Sequence, residues 1–184
     1  WRKNLRENKD LNDLYTRLLV DRRDNKPCLR GIMCQTCYND RDAGGYYGKP
    51  PNPFLASPMI IICCESAGYP GATDVAQTLR HELQHAGDWC YKKANLFTDC
   101  KECLCAEIRA FFCSGACKDL DSCVDILKKH KYFTSGCPCS DVTDDDKSGS
   151  NLAEVENLAR SCGEPQVGDC HFTRPTPPSP TPKL

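Results

Sequence analysis

The sequence predicts an α+β domain that is stapled by disulfide bonds. The β part rests on a compact β-branched run from Met59 to Cys64, and the α part on later stretches with apolar residues at helical spacing. The chain has sixteen cysteines among 184 residues. This usage is typical of disulfide scaffolds and favours an oxidising compartment, and the length suits one ordinary domain with extensions.

The charge balance argues against nucleic acid as a partner. Lys and Arg total 24 and Asp and Glu total 25, which leaves no large basic surface for phosphates. The longest apolar run, Met59 to Cys64, is far shorter than the roughly 20 residues of a membrane-spanning helix. We therefore expect a protein that binds no nucleic acid and does not cross a membrane through this sequence.

Composition divides the chain into five predicted parts. They are an N-terminal arm with an amphipathic helix (1–23), the main domain (24–140), an acidic linker (141–150), a C-terminal helix (151–162) and a Pro-rich extended tail (163–184). Leucines at helical spacing predict the first helix between Asn8 and Val20, with Asn8 or Asp10 as its N-cap. Basic residues around this helix suit peripheral contact with an anionic membrane, or a solvated face of a packed helix.

The main domain begins with an irregular, Gly- and Pro-rich segment from 28 to 58. The Met59 to Cys64 strand follows, and we expect its edge to hold a peptide in extended form. Apolar spacing then predicts helices over Thr73 to Tyr91, Cys103 to Cys117 and Asp121 to Lys131.

The first of these three helices carries the sequence HELQH, which is the HExxH pattern of zinc hydrolases. His81 and His85 are four residues apart, so both imidazoles point from one helix face and can bind one zinc ion at about 2.0–2.1 Å. Glu82 is placed to accept a proton from water at that ion, as a general base does. Two of the four histidines in the chain lie in this motif, which favours a real site over a chance match.

A catalytic zinc needs a third protein ligand and an open position. The metzincin pattern would require Gly at 88 and His at 91, but the chain has Asp88 and Tyr91. Glu107, on the next predicted helix, is the favoured third ligand, as in thermolysin-like enzymes. Glu102 and Asp88 are the alternatives, although Asp88 more naturally orients a ligand or the connecting loop, and Arg109 is expected in a structural ion pair.

Cysteine offers a second, non-catalytic way to bind zinc. Cys34 and Cys37 form one CxxC pair, and Cys137 and Cys139 lie close together. Structural zinc modules need two CxxC-type pairs, and Cys137-Pro-Cys139, with one residue between its cysteines, does not supply the second for Cys34 and Cys37. We therefore expect the cysteines, Cys90 and Cys162 among them, to form disulfides, although their pairing does not follow from spacing.

Three motifs occur in order: HELQHAGDWC at 81–90, CAEIRA at 105–110 and SGAC at 114–117. Together they resemble the mitochondrial inner-membrane zinc metalloprotease family whose founding member processes a subunit of ATP synthase and assists its assembly. The resemblance implies His81 and His85 as zinc ligands, Glu82 as base and Glu107 as third ligand. It also implies cysteines oxidised in the intermembrane space, with the protein peripheral to the inner membrane. Gln84 and Gly87 depart from the family pattern, so the resemblance does not extend to the identity of the substrate.

The sequence thus predicts a zincin-like metalloprotease domain, in which a small sheet accompanies an active-site helix and a Glu-bearing second helix. Its function would be a zinc-dependent metalloendopeptidase acting on a protein or peptide. One alternative is a non-proteolytic assembly factor or structural subunit of a large inner-membrane complex that retains the zinc site. Another is a secreted, disulfide-rich metalloprotease.

Overall fold

The computed structural model describes residues 2–35, 45–48, 58–63, 75–129, 137–139 and 150–170. The helices in these ranges are α1 (Arg2–Glu7), α2 (Lys9–Val20), α3 (Val75–Tyr91), α4 (Cys100–Ser114), α5 (Leu120–Lys129), α6 (Ser150–Arg160) and a 3-10 helix (Val167–Cys170). The strands are β1 (Arg22–Arg23), β2 (Lys26–Pro27), β3 (Ile32–Gln35), β4 (Gly45–Gly48) and β5 (Met59–Cys63). The predicted α+β class is confirmed.

The predicted first helix is present as α2, and Asn8 is its N-cap. The Asn8 side chain accepts a hydrogen bond from the backbone N–H of Leu11 at 3.1 Å, which satisfies one free donor of the first turn. The apolar stripe buries Leu11 and Leu18 against the main core. The additional helix α1 was not predicted from the sequence.

The sheet in the described part of the chain has three strands in the order β3-β5-β4. The predicted strand is confirmed as β5, with Ile60, Ile61 and Ile62 buried, while Cys64 lies outside the described residues. The prediction that its edge holds a peptide is wrong, because β3 pairs with β5 in parallel and β4 pairs with it antiparallel. Among the described residues, the outer strands of the sheet are therefore β3 and β4.

Helices α3 and α4 pack against each other, and α4 separates two hydrophobic clusters. On one side Ala106 joins Leu79 and Leu83 of α3, and on the other side Leu104 and Ile108 meet α5 and α6. This two-sided burial fixes α4 between the sheet side and the C-terminal helices.

The ends of α4 are set by local capping and lie three residues earlier than predicted. Asp99 accepts a hydrogen bond from the N–H of Glu102 at 2.8 Å and so begins the helix. Gly115, with a left-handed φ of 79°, ends it.

Six disulfides are described, and four of them start on α4. The pairs are Cys28–Cys90, Cys100–Cys139, Cys103–Cys137, Cys105–Cys162, Cys113–Cys170 and Cys117–Cys123. The expected staples at Cys90 and Cys162 are confirmed. Cys34 is also disulfide-bonded, and Cys37 lies outside the described residues. Because Cys34, Cys137 and Cys139 are in disulfides, they cannot act as thiolate ligands of the alternative structural zinc site.

The predicted linker 141–150 lies outside the described residues except for residue 150, and so does the tail from 171 onward. Residues 167–170 of the predicted tail form the 3-10 helix, which the Cys113–Cys170 bridge ties to α4. The five-part division of the chain stays a prediction. None of the described helices has the length and apolar character needed to cross a membrane.

Each disulfide should contribute to stability according to the length of the loop that it closes. Replacing Cys105 and Cys162 together by Ser opens a separation of 57 residues and should lower the free energy of unfolding by about 4 kcal/mol. Replacing Cys117 and Cys123 opens a separation of 6 residues and should cost about 2 kcal/mol. Guanidinium unfolding of both double variants measures the difference, and an equal or reversed order would contradict this account.

Candidate active site

Helix α3 supplies two of the three groups at the centre of the site. His81 and His85 lie one turn apart and are buried, with their Nε2 atoms 3.0 Å from each other. Leu79 and Leu83 are fully buried on the core side of the same helix. Packing of these leucines therefore fixes the direction in which both imidazoles point.

Helix α4 brings Glu107 to both histidines. Its Oε2 lies 3.2 Å from His81 Nε2, and its Oε1 lies 3.2 Å from His85 Nε2. Tetrahedral ligands at about 2.0–2.1 Å from a zinc ion stand about 3.3 Å from one another. The two imidazole nitrogens and the Glu107 carboxylate are therefore close enough to one another to bind a single metal ion together.

The electrostatics of the cluster also fit a cation. Burial alone would raise the pKa of Glu107, but the imidazoles of His85 and His81 outweigh it and hold that pKa at about 2. Glu107 is thus a carboxylate, the form that binds metals. Two imidazoles and one carboxylate make the donor set of His₂Glu catalytic zinc sites.

Glu82 lies beside this cluster without belonging to it. The backbone N–H of Tyr47 donates a hydrogen bond to its carboxylate, and the buried Oε2 has no described partner. Burial raises the pKa of Glu82 to about 7, although the nearby His81 opposes that shift. A carboxylate with a pKa near neutrality can both accept and release a proton at physiological pH.

The two alternative third ligands lie elsewhere. Asp88 is fully buried and faces Arg109 Nε at 3.1 Å and Lys92 Nζ at 3.6 Å, which confirms the expected ion pair of Arg109. Glu102 is exposed and accepts a hydrogen bond from the backbone N–H of Asn95. Neither carboxylate joins the histidines.

Two contacts of the site were missed by sequence reasoning. One is the Tyr47 amide, which the pairing of β4 with β5 brings over Glu82. The other is the 3-10 helix, where the backbone carbonyl of Asp169 accepts a hydrogen bond from Gln84 Nε2 at 3.0 Å. A polar residue at a buried helix position was the available signal, because such a side chain needs a partner.

The sequence of the chain is similar to that of a family of proteases. The model of the Peptidase M76 family matches residues 3–140. The chain is 28% identical over 130 residues to the mitochondrial inner membrane protease ATP23 homolog of Mus musculus, which covers 67% of this chain. Its identity to the human protein of that name is 31% over 107 residues, or 56% of this chain. For the Xenopus laevis protein it is 24% over 159 residues, or 84% of this chain.

The alignments cover only part of these relatives. The chain spans 60% of the mouse protein, 39% of the human protein and 61% of the frog protein. No solved structure matches the chain.

The cluster should bind one zinc ion per chain, and Glu107 should be required for it. We expect Glu107→Ala to weaken zinc affinity more than about 100-fold, since even residues that only orient a ligand cost 10–100-fold. Glu102→Ala, on the same helix but exposed, is the matched control and should bind zinc as the unaltered chain does. Chelator competition with metal analysis measures both; equal losses in the two variants would refute the assignment.

Removing the guanidinium of Arg109, which faces the buried Asp88, should destabilise the fold. Arg109→Met removes the nearest cation from the buried Asp88 carboxylate and leaves Lys92 Nζ 3.6 Å away, so we expect a loss of about 3 kcal/mol at pH 7 in the metal-free protein. Arg160→Met, which breaks an exposed pair with Asp121, is the control and should cost much less.

The deficit of Arg109→Met should depend on pH. Burial already raises the pKa of Asp88, and loss of the guanidinium raises it further. A group with a raised folded-state pKa contributes its full stability below the unfolded value of about 3.9 and loses it as pH rises. Chemical unfolding from pH 4 to 7 should therefore show a deficit that grows with pH, and a deficit independent of pH would rule out Asp88 as its cause.

Proposed function

The chain belongs to the peptidase M76 family, and from that membership we propose that it is a zinc-dependent endopeptidase of the HExxH-plus-Glu type. The observation that carries the proposal is the convergence of His81, His85 and Glu107, with Glu82 buried beside them. A bare donor cluster would suit a structural metal equally well. A buried carboxylate next to the cluster that can take a proton from water is what hydrolysis requires in addition.

In this proposal His81, His85 and Glu107 hold the zinc ion. When bound, zinc supplies Lewis acidity, which polarises a carbonyl and lowers the pKa of water from about 15.7 toward 7. Glu82 accepts the proton of the attacking water on its carboxylate and delivers it to the leaving amine of the cleaved peptide bond. The Tyr47 N–H keeps that carboxylate turned toward the cluster.

The proposed path of the substrate follows β4. One edge of this strand pairs with β5, and the N–H of Tyr47 is directed at Glu82, so the other edge faces α3. An extended peptide added along that edge would pass over Glu82 with its backbone hydrogen-bonded to the strand. This supports an endopeptidase, because neither end of the peptide has to enter a closed pocket.

We place the protein in the mitochondrial intermembrane space, at the surface of the inner membrane. Two observations support this location: the relatives are named mitochondrial inner membrane proteases, and the described cysteines are oxidised. The family resemblance supports a role in the maturation of ATP synthase. Participation in the assembly of that complex is part of the same proposal.

Glu82→Gln should abolish proteolysis while leaving metal binding intact. The amide keeps the acceptor for the Tyr47 N–H but cannot take a proton, so we expect cleavage of an unfolded protein or peptide mixture to fall by about 10²–10⁴-fold. Mass spectrometry of the products gives the rate, and metal analysis gives the zinc content.

Glu102→Gln on α4 is the matched control and should cleave like the unaltered chain. Undiminished proteolysis by Glu82→Gln would contradict the proposed mechanism. A zinc-loaded chain that cleaves nothing, yet copurifies in fixed ratio with an inner-membrane complex, would favour the non-proteolytic assembly function instead.

A further inference from the structure

A small cavity of about 120 Å³ adjoins the His85 and Glu107 side of the cluster. It lies between β4, the segment that joins α3 to α4, and α4 itself. Besides the two cluster residues, its wall consists of Tyr47, Leu96, Phe97, Cys103 and Ala106.

We propose that this cavity is a specificity subsite that receives one aliphatic side chain of the substrate, of the size of Val or Leu, next to the bond that is cut. The inference rests on the proposed endopeptidase function and adds a substrate class to it. Its support comes from the chemistry, the volume, the rigidity and the position of the cavity.

The wall of the cavity is apolar apart from the two cluster residues. The hydroxyl of Tyr47 donates to the backbone carbonyl of Cys28 at 3.3 Å, so its polar end is already engaged away from the cavity. Cys103 is bonded to Cys137 and offers no thiol. The Glu107 oxygens already face the two histidines, so a neutral polar side chain would lose its water here without gaining a partner from the apolar wall, and a carboxylate would also meet the negative charge of Glu107.

The volume selects among apolar side chains. An apolar cavity of about 150 Å³ accommodates benzene, so a cavity of 120 Å³ suits a branched aliphatic group and is too small for an indole. Gly or Ala would leave it partly empty and would forgo the burial of apolar surface.

The cavity is built from fixed parts. Leu96 and Ala106 are buried in the main core cluster, and the rings of Tyr47 and Phe97 stack with their centroids 6.2 Å apart. The Cys103–Cys137 bridge holds the α4 side. A preformed pocket discriminates by shape, because little of its lining has to move when a side chain enters.

The position links the cavity to the reaction. His85 and Glu107 form one wall, so a side chain in the cavity lies beside the proposed metal, and Tyr47 connects the same wall to the edge of β4. A peptide that extends along β4 would place alternate side chains toward α3 and α4, one of them here.

Equilibrium binding to the full chain with the Glu82→Gln substitution, loaded with zinc, tests this inference without requiring cleavage. The probes are end-blocked hexapeptides that carry Gly, Val, Leu, Asp or Trp at each position in turn, measured by titration calorimetry. At one position we expect Val or Leu to bind about tenfold tighter than Gly, Asp or Trp.

A cavity-widening variant identifies the subsite. Adding Phe97→Ala should move the optimum at that position from Val or Leu toward Trp, whereas Phe112→Ala, the same truncation on the far side of α4, should leave the ranking unchanged. Should Phe97→Ala fail to fold, Leu96→Val enlarges the same cavity by one methylene and should make Leu bind more tightly relative to Val at that position.

The ranking decides the outcome. A flat ranking at every position, or equal changes from Phe97→Ala and Phe112→Ala, would overturn the subsite. Failure of the proposed function looks different: the unaltered chain then cleaves no peptide, even though the Glu82→Gln chain still prefers Val or Leu. Conversely, cleavage without any side-chain preference would keep the protease and remove the subsite.

Discussion

The site depends on one constraint, the fixed separation and register of α3 and α4. Two of the clustered donors come from α3 and the third from α4, so a slide of either helix separates Glu107 from the histidines. Small side chains, Ala86 on α3 and Ala106 on α4, are buried in the same core cluster and let the helices come close. Asp88 of α3, about one turn beyond the histidines, makes a buried contact with Arg109 of α4, and this contact also helps to fix the register of the two helices.

Disulfides also restrain the positions of α3 and α4. Four of the six described bridges attach α4 to later parts of the chain, and Cys28–Cys90 attaches the end of α3 to the segment before β3. A chain of 184 residues can bury a sizeable core without such staples. Their concentration on the helix that carries Glu107 therefore indicates that they hold the site in place, beyond any general gain in stability.

Local patterns in the sequence predicted the local parts of the structure. The spacing of His81 and His85 placed both on one helix face, and the apolar stripes predicted α2, α3, α4 and α6 within a few residues. The Glu107 interpretation needed only that two successive helices pack side by side. What failed was non-local: β5 was given a free edge because sheet order depends on β3 and β4, which are distant in sequence. The contacts of Tyr47 and Asp169 were missed for the same reason, since strand pairing and a disulfide bring them to α3.

The central claim is that α3 and α4 together form one zinc site, and anomalous diffraction at the zinc edge from crystals of the zinc-loaded chain tests it most directly. The account predicts one zinc peak per chain at about 2.0–2.1 Å from His81 Nε2 and His85 Nε2, with a Glu107 oxygen at about 2.0–2.2 Å and a fourth position outside the protein. A zinc peak on cysteine sulfurs, or one at the histidines without Glu107, would contradict it.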